Sequence, residues 1–250
     1  NGAGTVTLAD FTYDRQKVGD IKTDLKVSTA LSGRIRAAAD MYIDGEKTVT
    51  LAGALNDSTA GSPLAMDLSV IHLPLRVANP FIGADIASLS GVLNGSMDVS
   101  GEASSPRLDG WLQLDSAAVR VAMTGTSYAF NNVKVPVDSN LVRFVNFAIK
   151  GTNENPLTVN GTVDIHDFAN PRLNLHLSAA NMQICDSRRA SRGADIYGKG
   201  FINLNADIKG NMEFMSLDAN LTVLPGTNIT YVMTTAGSAI ADRANDDMVK

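Results

Sequence analysis

At 250 residues and 44% hydrophobic content, the chain suits one large all-β unit or two smaller domains and is too apolar for disorder. Its 21 basic and 26 acidic residues give a net charge of −5 with no basic block, which excludes a nucleic-acid-binding surface. A single cysteine, Cys185, excludes an internal disulfide and a cysteine-rich metal site, and no run approaches the roughly eighteen apolar residues of a membrane-spanning helix. There is no signal peptide at Asn1; "NGAGTVTLADFTY" enters a strand pattern at once, so an anchoring or targeting segment is expected to lie outside this sequence.

Taken in chain order, the sequence alternates with a period of two, the signature of strands with one oily and one wet face. Ile21, Thr23, Leu25 and Val27 alternate with Lys22, Asp24 and Lys26. Ile35 to Ile43 and Val49 to Leu55 continue the pattern, and Leu64, Met66, Leu68 and Val70 oppose Asp67 and Ser69. Leu89, Leu93, Met97 and Val99 then share a face with Gly91 and Gly95. After the break at "SSPR", Leu112, Leu114, Val119 and Val121 continue it, with Trp111 on the polar side. Val145, Phe147 and Ile149 form a further run, followed by Leu157, Val159, Val163 and Ile165, and by Leu173, Leu175 and Leu177. The series closes with Ile202, Leu204 and Ile208, then Leu217, Leu221 and Val223, then Ile229, Tyr231 and Met233. Turn signals such as "DGE", "TNENP" and "LPGT" separate these runs, which predicts an antiparallel meander of about fourteen strands. Leu73 to Leu89 carries two prolines and is expected to hold a short helix or a loop packed over an edge. Residues 235–250 read as a polar tail or linker, leaving 1–234 as a single β domain.

That domain is expected to be built from repeats. A shift of 109 residues lays Gly91–Leu114 on Gly200–Val223 without a gap, matching Asp98 with Asp207, Leu108 with Leu217 and Leu112 with Leu221. The related segments run from about 89 to 121 and from 198 to 231. Repetition of a strand unit predicts a quasi-one-dimensional stack.

Chemistry is sparse. Asp164 and His166 share an outward face in "VDIHDFAN", but no further ligand is fixed nearby, so a solvated strand end is the expectation and no metal is predicted. "YGKGF" leads its glycines into a strand, not a helix N-terminus, so it reads as a bend and not a phosphate loop. The arginines of "DSRRASRG" read as a solvated loop, and Cys185 as a small core residue. Asn56, Asn94, Asn160, Asn220 and Asn228 begin N-x-S/T triplets of the kind a polar β protein generates by chance. No nucleophile, base and oxyanion donor assemble; no cofactor and no enzyme activity are predicted.

The aliphatic face must be covered, because each exposed aliphatic side chain forfeits about 1.5–3 kcal/mol. A second sheet would make a sandwich and closure a filled barrel; otherwise the sheet stays a trough whose lining meets another apolar molecule. Glycines at inward positions (Gly53, Gly91, Gly95, Gly110, Gly161) would let a sheet bend sharply or leave interior space, and the abrupt start suggests open edges. Both features favour an elongated trough with an aliphatic interior.

"LPLRVANPFIG", "LSGVLNGSMDVSGEASSPRLDGWLQLDSAAVRV", "NPLTVNGTVDI" and "YGKGFINLNADIKG" resemble the C-terminal region of the TamB family, AsmA-like envelope proteins of Gram-negative bacteria, and most of all its Bacteroides-type members. The resemblance weakens where Glu213-Phe214-Met215 replaces the Ser-Ser-Pro turn and in the polar tail. It implies a periplasmic β-taco in a protein anchored in the inner membrane, acting with a BamA-like outer-membrane barrel (TamA). It also implies a role in outer-membrane protein assembly and secretion or in phospholipid transport between the membranes. The cargo would be acyl chains of phospholipid or nascent outer-membrane β-strands riding on the aliphatic lining, and a charge at Leu112 or Val163 would be expected to stop it. The alternative class is a secreted β-sandwich binding or adhesion module that uses its loops and Trp111.

Overall fold

Where the alternation runs uninterrupted, the chain is strand. In the computed structural model, residues 1–13, 16–29, 34–57, 62–187 and 196–231 are described. Strands β1 (Gly2–Tyr13), β2 (Gln16–Thr29), β3 (Ile35–Ile43), β4 (Glu46–Asp57) and β5 (Ser62–Pro74) run in succession. A 3-10 turn (Leu75–Ala78) and the one-turn helix α1 (Asn79–Ile82) lead to β6 (Ala87–Glu102) and β7 (Ser105–Val121). Next come β8 (Ser127–Phe130), β9 (Lys134–Asp138), β10 (Leu141–Lys150) and β11 (Leu157–Asp164). The last are β12 (Arg172–Ser187), β13 (Ile196–Asn211), β14 (Met215–Val223) and β15 (Asn228–Tyr231).

All fifteen strands belong to one antiparallel sheet whose order follows the chain. Two of its positions are filled by broken strands. β8 and β9 both pair with β7 and β10, and β14 and β15 both pair with β13. Among the described residues the sheet does not close on itself, so β1 and β14 remain edges; it is neither a sandwich nor a barrel. The segment after β5 forms the short helix expected of it and packs on β2 and β6.

The sheet curls toward its apolar face. Leu64 and Met66 of β5, Met97 and Val99 of β6, Leu108 of β7, Val135 and Val137 of β9, Val142 and Phe147 of β10, and Val159 of β11 form one buried cluster. With β6 to β10 lying between β5 and β11, shared packing requires strong curvature. The inward glycines allow it by close approach. A Cβ on Gly110 would lie 2.1 Å from the Ser96 carbonyl oxygen, and one on Gly161 (φ +124°) 2.1 Å from that of Asn174. Gly53, Gly91 and Gly95 are crowded in the same way, so these positions hold neighbouring strands close and serve the bending reading of the sequence.

Bulges add further bends, and one recurring device secures them. At His72 (φ 50°), Asn146 (φ 50°) and Asn181 (φ 51°) a left-handed residue shifts the register. In each case an asparagine Oδ1 on the next strand accepts its backbone N–H: Asn94 at 2.9 Å, Asn160 at 2.8 Å and Asn203 at 2.8 Å. Two of the N-x-S/T asparagines are therefore bulge caps. The extra residue at Asn146 also overturns the predicted run Val145–Phe147–Ile149. Val145 is 70% exposed, and Phe144 takes its place packed on the cluster.

Candidate functional site

The predicted lining residues all lie on strands of this sheet, but their surroundings differ along it. Met97, Val99, Val159 and Ile202 are buried. Leu89, Leu93, Leu112, Leu114, Val119 and Val121 of β6 and β7 are half-buried, as are Leu157 and Val163 of β11 and Ile165 just beyond it. So are Leu173, Leu175 and Leu177 of β12 and Leu204 and Ile208 of β13. Leu217, Leu221, Val223, Ile229 and Tyr231 are exposed. At the opposite edge Val6, Leu8, Leu25 and Val27 are exposed as well. The middle of the apolar face is thus packed by the chain itself, and its two ends are open.

The middle holds because side chains meet across the curl. Phe147 meets Phe144 edge-to-face at 5.5 Å between ring centroids and Phe130 in a tilted arrangement at 6.2 Å. Tyr128 on β8 reaches past β10 and β11 to donate its hydroxyl to the Ile184 carbonyl of β12, and burial pushes that phenol's pKa above its ordinary value. Nearby, the Ile196 N–H donates to the Met123 carbonyl at 3.0 Å, tying the β7–β8 turn to the start of β13. A second small cluster of Ala179, Met182 and Ile202 packs against Tyr128 and Leu204.

At one end, the segment 75–82 is fastened by Arg76. Its guanidinium donates to the Val18 carbonyl at 2.9 Å and pairs with Asp44. Asp44 also accepts the Asp20 N–H at 2.9 Å, and that bond, with Arg76 second, holds its carboxyl below the ordinary carboxylate range. Phe81 of α1 stacks on Tyr13 at 4.8 Å. A cavity of 920 Å³ opens on β1 to β5. It is lined by Ala37, Ala38, Ala52 and Gly53 together with Lys26 and Arg36.

The polar face carries structural contacts. Trp111 lies under the Lys134 ammonium, 3.8 Å from the ring centroid, and is half-buried, not a bare platform. His166 Nδ1 sits 2.6 Å from Asp164 at a strand end. Cys185 is fully buried. The "DSRRASRG" arginines and the tail 235–250 lie outside the described residues. Residues missed by the alternation, Val135, Val137, Val142 and Phe144, belong to the packed middle. The signal for Val135 and Val137 was the short run "VKVPV", which Pro136 disguised as a non-strand.

The fold defines the class: an open, all-β antiparallel meander, apolar on its curled face and polar on the other. Residues 145–249 match the family model described as the TamB C-terminal domain, so this part of the chain is similar to that domain. That family comprises non-enzymatic cell-envelope proteins of assembly and transport. No curated protein and no solved structure matches the chain. No helix among the described residues is long and apolar enough to cross a membrane.

Proposed function

We propose that this chain is a segment of a periplasmic TamB-like conduit, non-catalytic, that shelters apolar cargo along its aliphatic face. The cargo is phospholipid acyl chains or nascent outer-membrane strands. The full-length protein is held in the inner membrane by sequence outside this segment and works with a BamA-like barrel of the TamA type. Residues 1–234 act as one repeat-built domain.

One observation carries this reading: the aliphatic face stays exposed on the outer strands at both ends of the sheet, where Val27 of β2 is 46% and Leu221 of β14 55% exposed. At about 25 cal/mol per Å² such surface favours contact with another apolar body. Leu112 and Val163 pack on the central cluster, so a charge at either would also disturb folding. Leu221 and Val27 are therefore the sharper positions. In native mass spectrometry of the chain purified from an envelope, phospholipid adducts are expected, and the double variant Val27→Asp/Leu221→Asp should lose them while keeping its β-sheet spectrum. A clean apo mass for the unaltered chain, or adducts indifferent to both charges, would contradict the conduit.

A further inference from the structure

β7 and β14 occupy matching places in two blocks of the sheet. In β6–β7, Val99 faces Leu108, Asp98 faces Asp109 and Gly95 faces Leu112. In β13–β14, 109 residues on, Ile208 faces Leu217, Asp207 faces Asp218 and Leu204 faces Leu221. The preceding strands agree too: Leu64 faces Gly101 as Leu173 faces Gly210, and the capped bulge at His72 has its counterpart at Asn181.

The blocks differ at their far edge. β7 is covered by β9, which sets Val135 opposite Leu112 and Val137 opposite Gly110. Just beyond, the buried Asn140 side chain accepts the Leu108 N–H at 2.6 Å and donates to the Pro106 carbonyl at 2.9 Å. Leu108 is 7% exposed, whereas Leu217, the same residue in the same register, is 67% exposed. Among the described residues no strand pairs with the far edge of β14. Among the described residues its outward N–H and C=O groups and its apolar side chains meet no neighbour like the one the first block shows to fit there.

We propose that the free edge of β14 accepts an extended segment of another polypeptide as an added antiparallel strand. The first block specifies what fits: the pattern V-x-V-x-x-N of Val135–Asn140, the valines set against Leu221 and Ala219 and the asparagine reaching the Leu217 backbone. Main-chain pairing supplies the affinity and the alternate side chains the selection. Among the described residues a second copy of this chain offers no free segment with this pattern, because its own is paired with β7 and β10. The edge takes a strand whether or not the trough carries lipid.

The test uses the full chain and a synthetic peptide of residues 132–140, followed by fluorescence anisotropy and amide exchange. Saturable binding is expected, with slowed exchange confined to β14. Affinity should fall at least tenfold for Leu221→Asp and for a peptide carrying lysine in place of Val135 and Val137; the peptide variant tests the pairing even if Leu221→Asp does not fold. Absence of saturable binding, equal affinity for the lysine peptide, or protection of β1 in place of β14 would overturn the proposal. So would self-association that excludes the peptide, which would assign the edge to a second copy. Protection of β14 in the chain alone would overturn it too, by assigning the edge to the chain's own C-terminal residues.

Discussion

β7 and β14 are nearly the same strand in two situations. Both place leucines at matching register positions, Leu108 with Leu217 and Leu112 with Leu221, and both oppose an aspartate pair on the wet face. One set is packed and the other is in solvent. The difference lies in the third neighbour: β9, β10 and the curl they allow cover β7, and nothing described covers β14. Burial in this fold is therefore set by position in the stack and not by the strand's own sequence. The exposed ends are the same material as the core, without a covering neighbour among the described residues.

The widest gap should appear in a matched pair of truncations. Leu108→Ala should cost about 2–5 kcal/mol, as for a large-to-small core change, while Leu217→Ala should stay within about 0.5 kcal/mol. Urea midpoints at constant slope measure both; equal losses would erase the distinction. Next in size, Asn140→Ala leaves the Leu108 N–H and Pro106 carbonyl without their side-chain partner, at about 1–3 kcal/mol. The same readout applies, and amide exchange should quicken at residues 106–108. Smaller still, Tyr128→Phe removes the bond to the Ile184 carbonyl. Its expected cost is about 0.5–1.5 kcal/mol, with faster exchange in residues 184–187 and at Ile196 as the cross-tie loosens.

The smallest effect concerns acid and the fastening of residues 75–82. Asp44 is held below its ordinary pKa by the Asp20 N–H and by Arg76, so its contribution is present above the ordinary carboxylate range, near pH ~4, and is lost as pH falls through the lowered value. Exchange in residues 75–82 should rise on acidification before the central cluster opens. Asp44→Asn should show that faster exchange already at neutral pH and lose the acid dependence.

Most strands and the aliphatic face were legible because a period of two is imposed by backbone geometry wherever one side is buried. Val159 and Met97, for example, lie inward as the alternation predicts. What stayed hidden depends on residues far apart or on single inserted ones. β8 and β9 are four and five residues long, too short for a periodic signal. Asn146 flips Val145 outward through a bulge that alternation cannot register. The inward glycines signal close approach as readily as empty space, and only the positions of Ser96 and Asn174 decide between them. Nor could the sequence show where the face is packed and where it is open, since Leu108 and Leu217 sit in such similar segments.

The most direct measurement places a photo-crosslinking residue at Leu221 and, separately, at Leu108, in cells that export the protein to the envelope. The account predicts that position 221 captures phospholipid or a foreign polypeptide and that position 108 captures only the chain's own residues. Crosslinks confined to the chain itself at both positions would contradict it.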